Sequence, residues 1–211
     1  MKQSCLNCLH DDHHPLGITL IDNICSGCYT HLEKNTIDWQ LREEALFNII
    51  SSAIKQSPSS SIYDCVIPIR GDAEDYFVVE KVLNLNLNPL LVAVNDYFFN
   101  DLGWHNLHNL ITIFDLDSQL YTPNIFEYKE LVSTSFRKYL HVLYPSLSLN
   151  ASYPVHVAIE RQIPLVIWGQ CQPIEQVGKF SHVDSVEMTQ WSQIEHDRLG
   201  LDIELRLFQN Q

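Results

Sequence analysis

Four cysteines fall in the first 28 residues, as "CLNC" (Cys5 and Cys8) and "CSGC" (Cys25 and Cys28). Two C-x-x-C turns joined by a short connection can bring four thiolates to one tetrahedral zinc, each about 2.3 Å from the metal. Gly27 eases the second turn. Four thiolates complete the coordination sphere, so the expected zinc is structural and leaves no open position for a substrate. Two unrelated cysteine pairs or a redox dithiol are the alternatives. The neighbouring His10, Asp11, Asp12, His13 and His14 also carry metal-ligating groups, but read as a solvated loop once the tetrahedron is closed. Cys65 and Cys171 lie in apolar or turn contexts and read as unmodified buried or semi-buried thiols.

The second chemically suggestive stretch is "VIPIRGDAED" (66–75): an apolar run, one glycine, then Asp72, Glu74 and Asp75. A strand that turns on a glycine into a helix is a common place to hold a phosphate, because the first N–H groups of the helix are free. Here the turn is acidic. A plain reading makes the carboxylates a helix cap with favourable first-turn charges, at about 0.3–1 kcal/mol each. His105 and His108 are three apart with no third ligand near in sequence, and read as surface or groove histidines.

The surrounding pattern supplies elements to hold such a loop. Asp38 is placed to cap a helix to about Gln56, with Trp39, Leu46, Ile49, Ile50 and Ala53 on one stripe. Residues 63–69 and 89–95 are apolar runs suited to buried strands. A helix is expected over roughly 75–85, and another, with Asp101 as its cap, through 110. "ITIFD" (111–115) reads as a third strand, 124–144 and 154–162 as helices, and 164–169, with Trp168 in the core, as a fourth strand. Alternating strands and helices imply an α/β fold with a parallel sheet and helices on both faces. In such sheets ligands bind beyond the carboxyl ends of the strands, which puts Arg70–Asp75, Asn95 and Asp96 in view, the last two also being ordinary turn formers. The expected division is a knuckle over 1–35, the α/β domain over 36–184 and an amphipathic tail over 185–211.

Hydrophobic residues are 45% and charged residues 18% of the 211, a globular composition, and the net charge of −13 disfavours a nucleic-acid partner. No stretch reaches the roughly 20 apolar residues of a membrane span, and the first residues lack a signal-peptide apolar core, so a cytoplasmic chain without membrane insertion is expected.

The order of parts resembles the N-acetyl sugar amidotransferases of bacterial surface-polysaccharide (LPS/O-antigen) biosynthesis, a PP-loop ATP pyrophosphatase family. The resemblance rests on the double knuckle with "GITLIDNICSGC", then "IDWQLREEAL", "YDCVIPIRGD", "NPLLVAVND", "LGWHNLHNL", "TPN" with the following helix, and "PLVIWGQ", covering most of 5–170. It implies a PP-loop (adenine nucleotide alpha hydrolase-like) sheet behind a small zinc-ribbon-like knuckle. It also implies ATP with magnesium to activate a sugar N-acetyl carbonyl as an adenylate. Ammonia from a glutaminase partner, channelled by a cyclase-like subunit, would then leave an acetamidino group.

The family's phosphate loop reads S-G-G-x-D-S. Carried onto this chain, the first serine becomes Arg70 and the first glycine stays as Gly71. The second glycine becomes Asp72, the variable position Ala73, the aspartate Glu74, and the last serine Asp75. The nucleotide-binding remnant is therefore Arg70, Gly71, Asp72, Glu74, Asp75, Asn95 and Asp96, with no catalytic residue assigned. The family's Cys-containing motif is also absent from "YPSLSLNASYP" (144–154), and the part after the "IWG" strand is shorter than the resemblance implies. Three functions stay open. One is a degenerate binding or regulatory paralogue, partnered by an intact amidotransferase, by glutaminase or cyclase-like subunits, or by a second copy. Another is a divergent active amidotransferase with Glu74 on magnesium. The third is a zinc-dependent interaction module.

Overall fold

The computed structural model describes residues 3–14, 17–56, 61–169, 178 and 181–183, which group into two compact units divided at Phe47/Asn48 and at Gln170/Cys171. The expected tail over 185–211 and Cys171 lie outside the described residues.

The first unit holds the cysteines. Strands β1 (Leu20–Ile21) and β2 (Ile24–Cys25) pair antiparallel across Asp22 and Asn23, both at positive φ. A two-residue turn with both φ values positive matches the right-handed twist of a hairpin, and Asp and Asn tolerate it best after glycine. Helix α1 (Ser26–Glu33) starts at once, with the Cys25 sulfur accepting from the Cys28 N–H as its cap. Cys5, Ile18 and Cys25 are buried together, with Leu20, Ile24 and Cys28 packed against them. This is a small ribbon-like knuckle whose buried cluster, among the described residues, is this handful of side chains.

The second unit is built on a parallel sheet in the order β3 (Cys65–Pro68), β4 (Pro89–Val94), β5 (Ser118–Tyr121). Successive residues of a strand face opposite sides. Cys65, Ile67, Leu91 and Ala93 accordingly pack with α3 (Ala73–Asn84), α4 (Asp101–Phe114) and Ile50 of α2 (Trp39–Gln56). Val66, Leu90 and Val92 pack on the other face against Val157, Ala158 and Ile163, at and beyond the end of α6 (Tyr144–Glu160). Burial on both faces explains why β3 and β4 read as unbroken apolar runs. The α/β architecture with helices on both faces is therefore present. Cys65 is fully buried, and burial pushes its thiol up to about 12.

Several expected boundaries are corrected. Residues 111–114 end α4 instead of forming a strand: Leu107, Leu110, Ile111 and Phe114 continue one helical stripe into the core, outweighing the β-branched run. Asp115 stops that helix in the left-handed region. The third strand is Ser118–Tyr121, polar and largely exposed at the sheet edge, hence silent in the apolar pattern. Asn100, not Asp101, caps α4, accepting from the Gly103 N–H at 2.8 Å. Asp38 does cap α2, accepting from Gln40 and Leu41. The helix expected over 124–144 stops at Tyr139, where Leu140 turns left-handed, and a new helix, α6, starts at Tyr144 rather than 154. The fourth strand is reduced to one parallel bridge, Val66 to Val166, and Trp168 is half-buried. No helix among the described residues is long and apolar enough to cross a membrane.

Candidate functional site

The loop between β3 and α3 is held by its own carboxylate. The backbone N–H groups of Arg70, Gly71 and Asp72 all donate to Asp75 Oδ2, at 2.6, 2.7 and 3.1 Å. Asp75 is the third residue of α3, and Asp72 its cap, so the pair forms a capping box in which Asp75 reaches back. Three convergent N–H groups at a helix N-terminus make a nest for an anion. The anion already there is a side chain of the same loop.

Gly71 explains why the turn keeps its glycine. Its φ is +86°, and an added Cβ would lie 2.6 Å from Leu107 N and 2.8 Å from Leu107 Cα, in the backbone of α4. Gly71→Ala combines a left-handed strain with a clash against rigid helix backbone. It is expected to cost roughly 3 kcal/mol or more, read as a lowered urea midpoint. Glu74 is exposed in the first turn of α3.

Burial is the main influence on the Asp75 carboxyl and raises it above the ordinary aspartate range, against the three N–H donors. A carboxyl raised on folding favours the folded state below its unfolded value, and withdraws that contribution as pH rises through the folded value. Asp75→Asn is therefore expected to remove the loss of stability that this carboxyl causes as pH rises above the ordinary aspartate range, measured by urea unfolding across acid pH.

Beside the loop, at the end of β4, Asp96 is fully buried. Its Oδ1 accepts from the Phe98 N–H, while its Oδ2 accepts from Ser146 Oγ and lies 3.3 Å from Arg70 Nη2. Arg70 itself is 42% exposed, with its guanidinium 5.8 Å from the centre of the Phe99 ring. Tyr128, of α5 (Ile125–Tyr139), is pushed up to about 12 by burial and then by the Asp96 charge. Asn95 Oδ1 accepts from the Tyr97 N–H, so Asn95 and Asp96 both form side-chain turns. Asp96→Ala leaves Ser146, the Phe98 N–H and Arg70 without their acceptor. A loss of about 3 kcal/mol is expected by urea unfolding, with Ser146→Ala costing about 1.

The structure thus brings Arg70, Gly71, Asp72 and Asp75 into one loop, and ties Arg70 to Asp96. Sequence reasoning did not single out Ser146 or Tyr128; a serine in an apolar helix is a weak signal. A cavity of about 440 Å³ lined by Ala53, Val155, Ile159 and Leu165 among others contains none of the expected residues.

In the knuckle, the four cysteine sulfurs lie within 4.8 Å of one another, with Cys8–Cys25 at 3.5 Å and Cys5–Cys28 at 3.8 Å. A zinc–sulfur bond of about 2.3 Å gives a tetrahedron with edges of about 3.8 Å, so the set fits zinc. The N–H groups of Asn7 and Cys25 point at Cys5 Sγ, both at 3.3 Å, as donors do to a thiolate. Burial alone would raise Cys5, but the N–H groups of Cys25, Cys8 and Asn7 bring it down to about 6. Cys28 is pushed up to about 12 by burial and then by the other three sulfurs, a crowding that a dication relieves. Among the described residues these four form the metal-competent cluster, and the loop carboxylates form none. The His10 and His14 rings meet at a tilt, their centres 4.7 Å apart, outside it.

No protein-family description matches the chain, and no curated protein matches it. Among solved structures it is similar to an NH3-dependent NAD synthetase from Campylobacter jejuni in complex with the nitrate ion, at 14% identity and a TM-score of 0.46, covering 64% of this chain. The chain spans 58% of that protein's length. It is also similar to an NMN synthetase from Francisella tularensis, at 11% identity and a TM-score of 0.44, covering 79% of this chain and 90% of the other.

Proposed function

We propose that this chain is a PP-loop-type α/β protein behind a zinc knuckle, and that it no longer holds ATP. It would act as a binding or regulatory paralogue of the N-acetyl sugar amidotransferases it resembles. The observation that carries the reading is the convergence of the Arg70, Gly71 and Asp72 N–H groups on Asp75 Oδ2. A phosphate needs those donors, and the Asp75 oxygen stands where a phosphate oxygen would. Two negative charges about 4 Å apart cost roughly 1 kcal/mol in water and several times that in a half-buried site. Asp72 removes the glycine that close backbone approach to a phosphate requires. Arg70, the remaining cation of the loop, is tied to buried Asp96.

The cysteine set would hold zinc as a closed centre that supplies folding energy and no reaction. The partners are an intact amidotransferase, its glutaminase or cyclase-like subunits, or a second copy, with polysaccharide biosynthesis as the setting. Isothermal titration of the zinc-loaded chain with ATP and magnesium tests the reading. No saturable binding below about millimolar ATP is expected. Micromolar binding with release of pyrophosphate would overturn it in favour of a divergent active enzyme.

A further inference from the structure

The knuckle does more than enclose a metal, because a distant part of the chain returns to it. Gly178 has a φ of +85°, and a Cβ added there would lie 2.3 Å from Ser26 C, 2.4 Å from Ser26 O and 2.7 Å from Gly27 N. Ser26 and Gly27 are the two residues between Cys25 and Cys28. The returning backbone therefore rests directly on the turn whose flanking residues supply two of the four thiolates.

A second hold lies one helix away. Glu33, the last residue of α1, accepts through Oε2 from Ser181 Oγ at 2.7 Å and from the His182 N–H at 3.0 Å. The Val183 N–H in turn donates to Ser181 Oγ at 3.2 Å. His182 is buried, with Nδ1 3.8 Å from the same Glu33 oxygen. A carboxylate that accepts both a backbone N–H and a hydroxyl from a segment about 150 residues away is a specific tether rather than a passing surface contact.

Both holds depend on one short piece of chain. The Cys25–Cys28 turn bears Gly178, and the Cys25 sulfur caps α1, which carries Glu33 to Ser181. Among the described residues the buried cluster around the cysteines contains Ile18, Leu20 and Ile24 as its apolar members outside the thiols, too few to fix this turn without a cross-link.

We infer that the four-cysteine centre works as a metal-dependent clamp on the returning chain: zinc fixes the Cys25–Cys28 turn and α1, and these hold Gly178 and Ser181–Val183. Removing the metal releases both holds together. This gives the structural centre a specific dependent segment and is independent of whether the strand-end loop holds a nucleotide.

In the sequence the Lys179–Phe180 bond falls between Gly178 and Ser181 and is a tryptic site, so cleavage there reads the clamp. The full zinc-loaded chain is treated with trypsin under native conditions, with and without a chelator, and the fragments are timed by mass spectrometry. Chelation is expected to speed cleavage after Lys179 by tenfold or more, while sites within residues 61–169 keep their rates. Glu33→Ala should retain one zinc per chain yet speed the same cleavage several-fold, with Glu33→Gln intermediate because its amide oxygen still accepts. Gly178→Ala should do likewise by lifting the backbone off the turn. An unchanged Lys179 cleavage rate on chelation would overturn the clamp. So would zinc-loaded Glu33→Ala and Gly178→Ala both cleaving like the parent.

Discussion

Replacing Asp72 by glycine and Asp75 by serine together is expected to give the chain an affinity for inorganic pyrophosphate that the parent lacks. The parent nest is full: three N–H groups end on Asp75 Oδ2. Asp75→Ser withdraws the carboxylate and puts a hydroxyl donor at the mouth of the nest, while Asp72→Gly removes a second carboxylate and lets the backbone approach a ligand closely. Gly71 already has the left-handed conformation that the turn needs. Desolvated hydrogen bonds to a charged group contribute about 1.5–3 kcal/mol each. Even one such bond recovered means at least a tenfold gain in affinity, since about 1.4 kcal/mol is tenfold.

The same exchange removes the reach-back half of the capping box and should lower stability by about 1–2 kcal/mol. Binding and urea unfolding are therefore measured on the same preparation. Asp75→Asn is the control, because its amide oxygen still accepts from the three N–H groups and should leave the nest closed. A folded double variant with no gain in pyrophosphate affinity would show that the loop is no phosphate nest.

The largest stability effect is expected at the knuckle. Short zinc knuckles gain about 10–16 kcal/mol of apparent free energy on binding the metal at neutral pH. Among the described residues the apolar partners of the cysteines are Ile18, Leu20 and Ile24, a cluster far too small to substitute. Cys5→Ser removes the sulfur that accepts from both Asn7 and Cys25 and that lies 3.8 Å from Cys28. The parent is expected to carry one zinc per chain by elemental analysis and Cys5→Ser none. Amide signals from residues 3–33 should then collapse to unfolded positions. Residues 61–169 have their own sheet, with Val66 and Leu91 fully buried in its core, and should keep a cooperative thermal transition within a few degrees of the parent. Retention of one tightly bound zinc by Cys5→Ser would refute the four-thiolate centre.

Much of this was legible in the sequence. The C-x-x-C spacing singled out the four cysteines that the structure gathers, and the apolar runs gave β3 and β4. The edge strand Ser118–Tyr121 was not legible, because an exposed strand has no apolar run to mark it. Residues 111–114 were misread because isoleucine and threonine favour strands, while the stripe from Leu107 to Phe114 showed itself only against the core. The role of Asp75 was half visible. Its spacing from Asp72 is that of a capping box, but only coordinates show a single oxygen taking three N–H groups. The reason for Gly71 was hidden, since its neighbour Leu107 is distant in sequence. The link from Asp96 to Ser146 spans 50 residues and no local pattern announces it.

The closed loop is tested most directly at the three amides themselves. The ¹H–¹⁵N signals of Arg70, Gly71 and Asp72 are followed in the zinc-loaded chain while magnesium pyrophosphate is added. With Asp75 in the nest, the three signals should stay in place, and they should move on addition of pyrophosphate only in the Asp72→Gly, Asp75→Ser variant. Concerted, saturable shifts of all three amides in the parent at micromolar ligand would mean that the nest is open and the phosphate site still works.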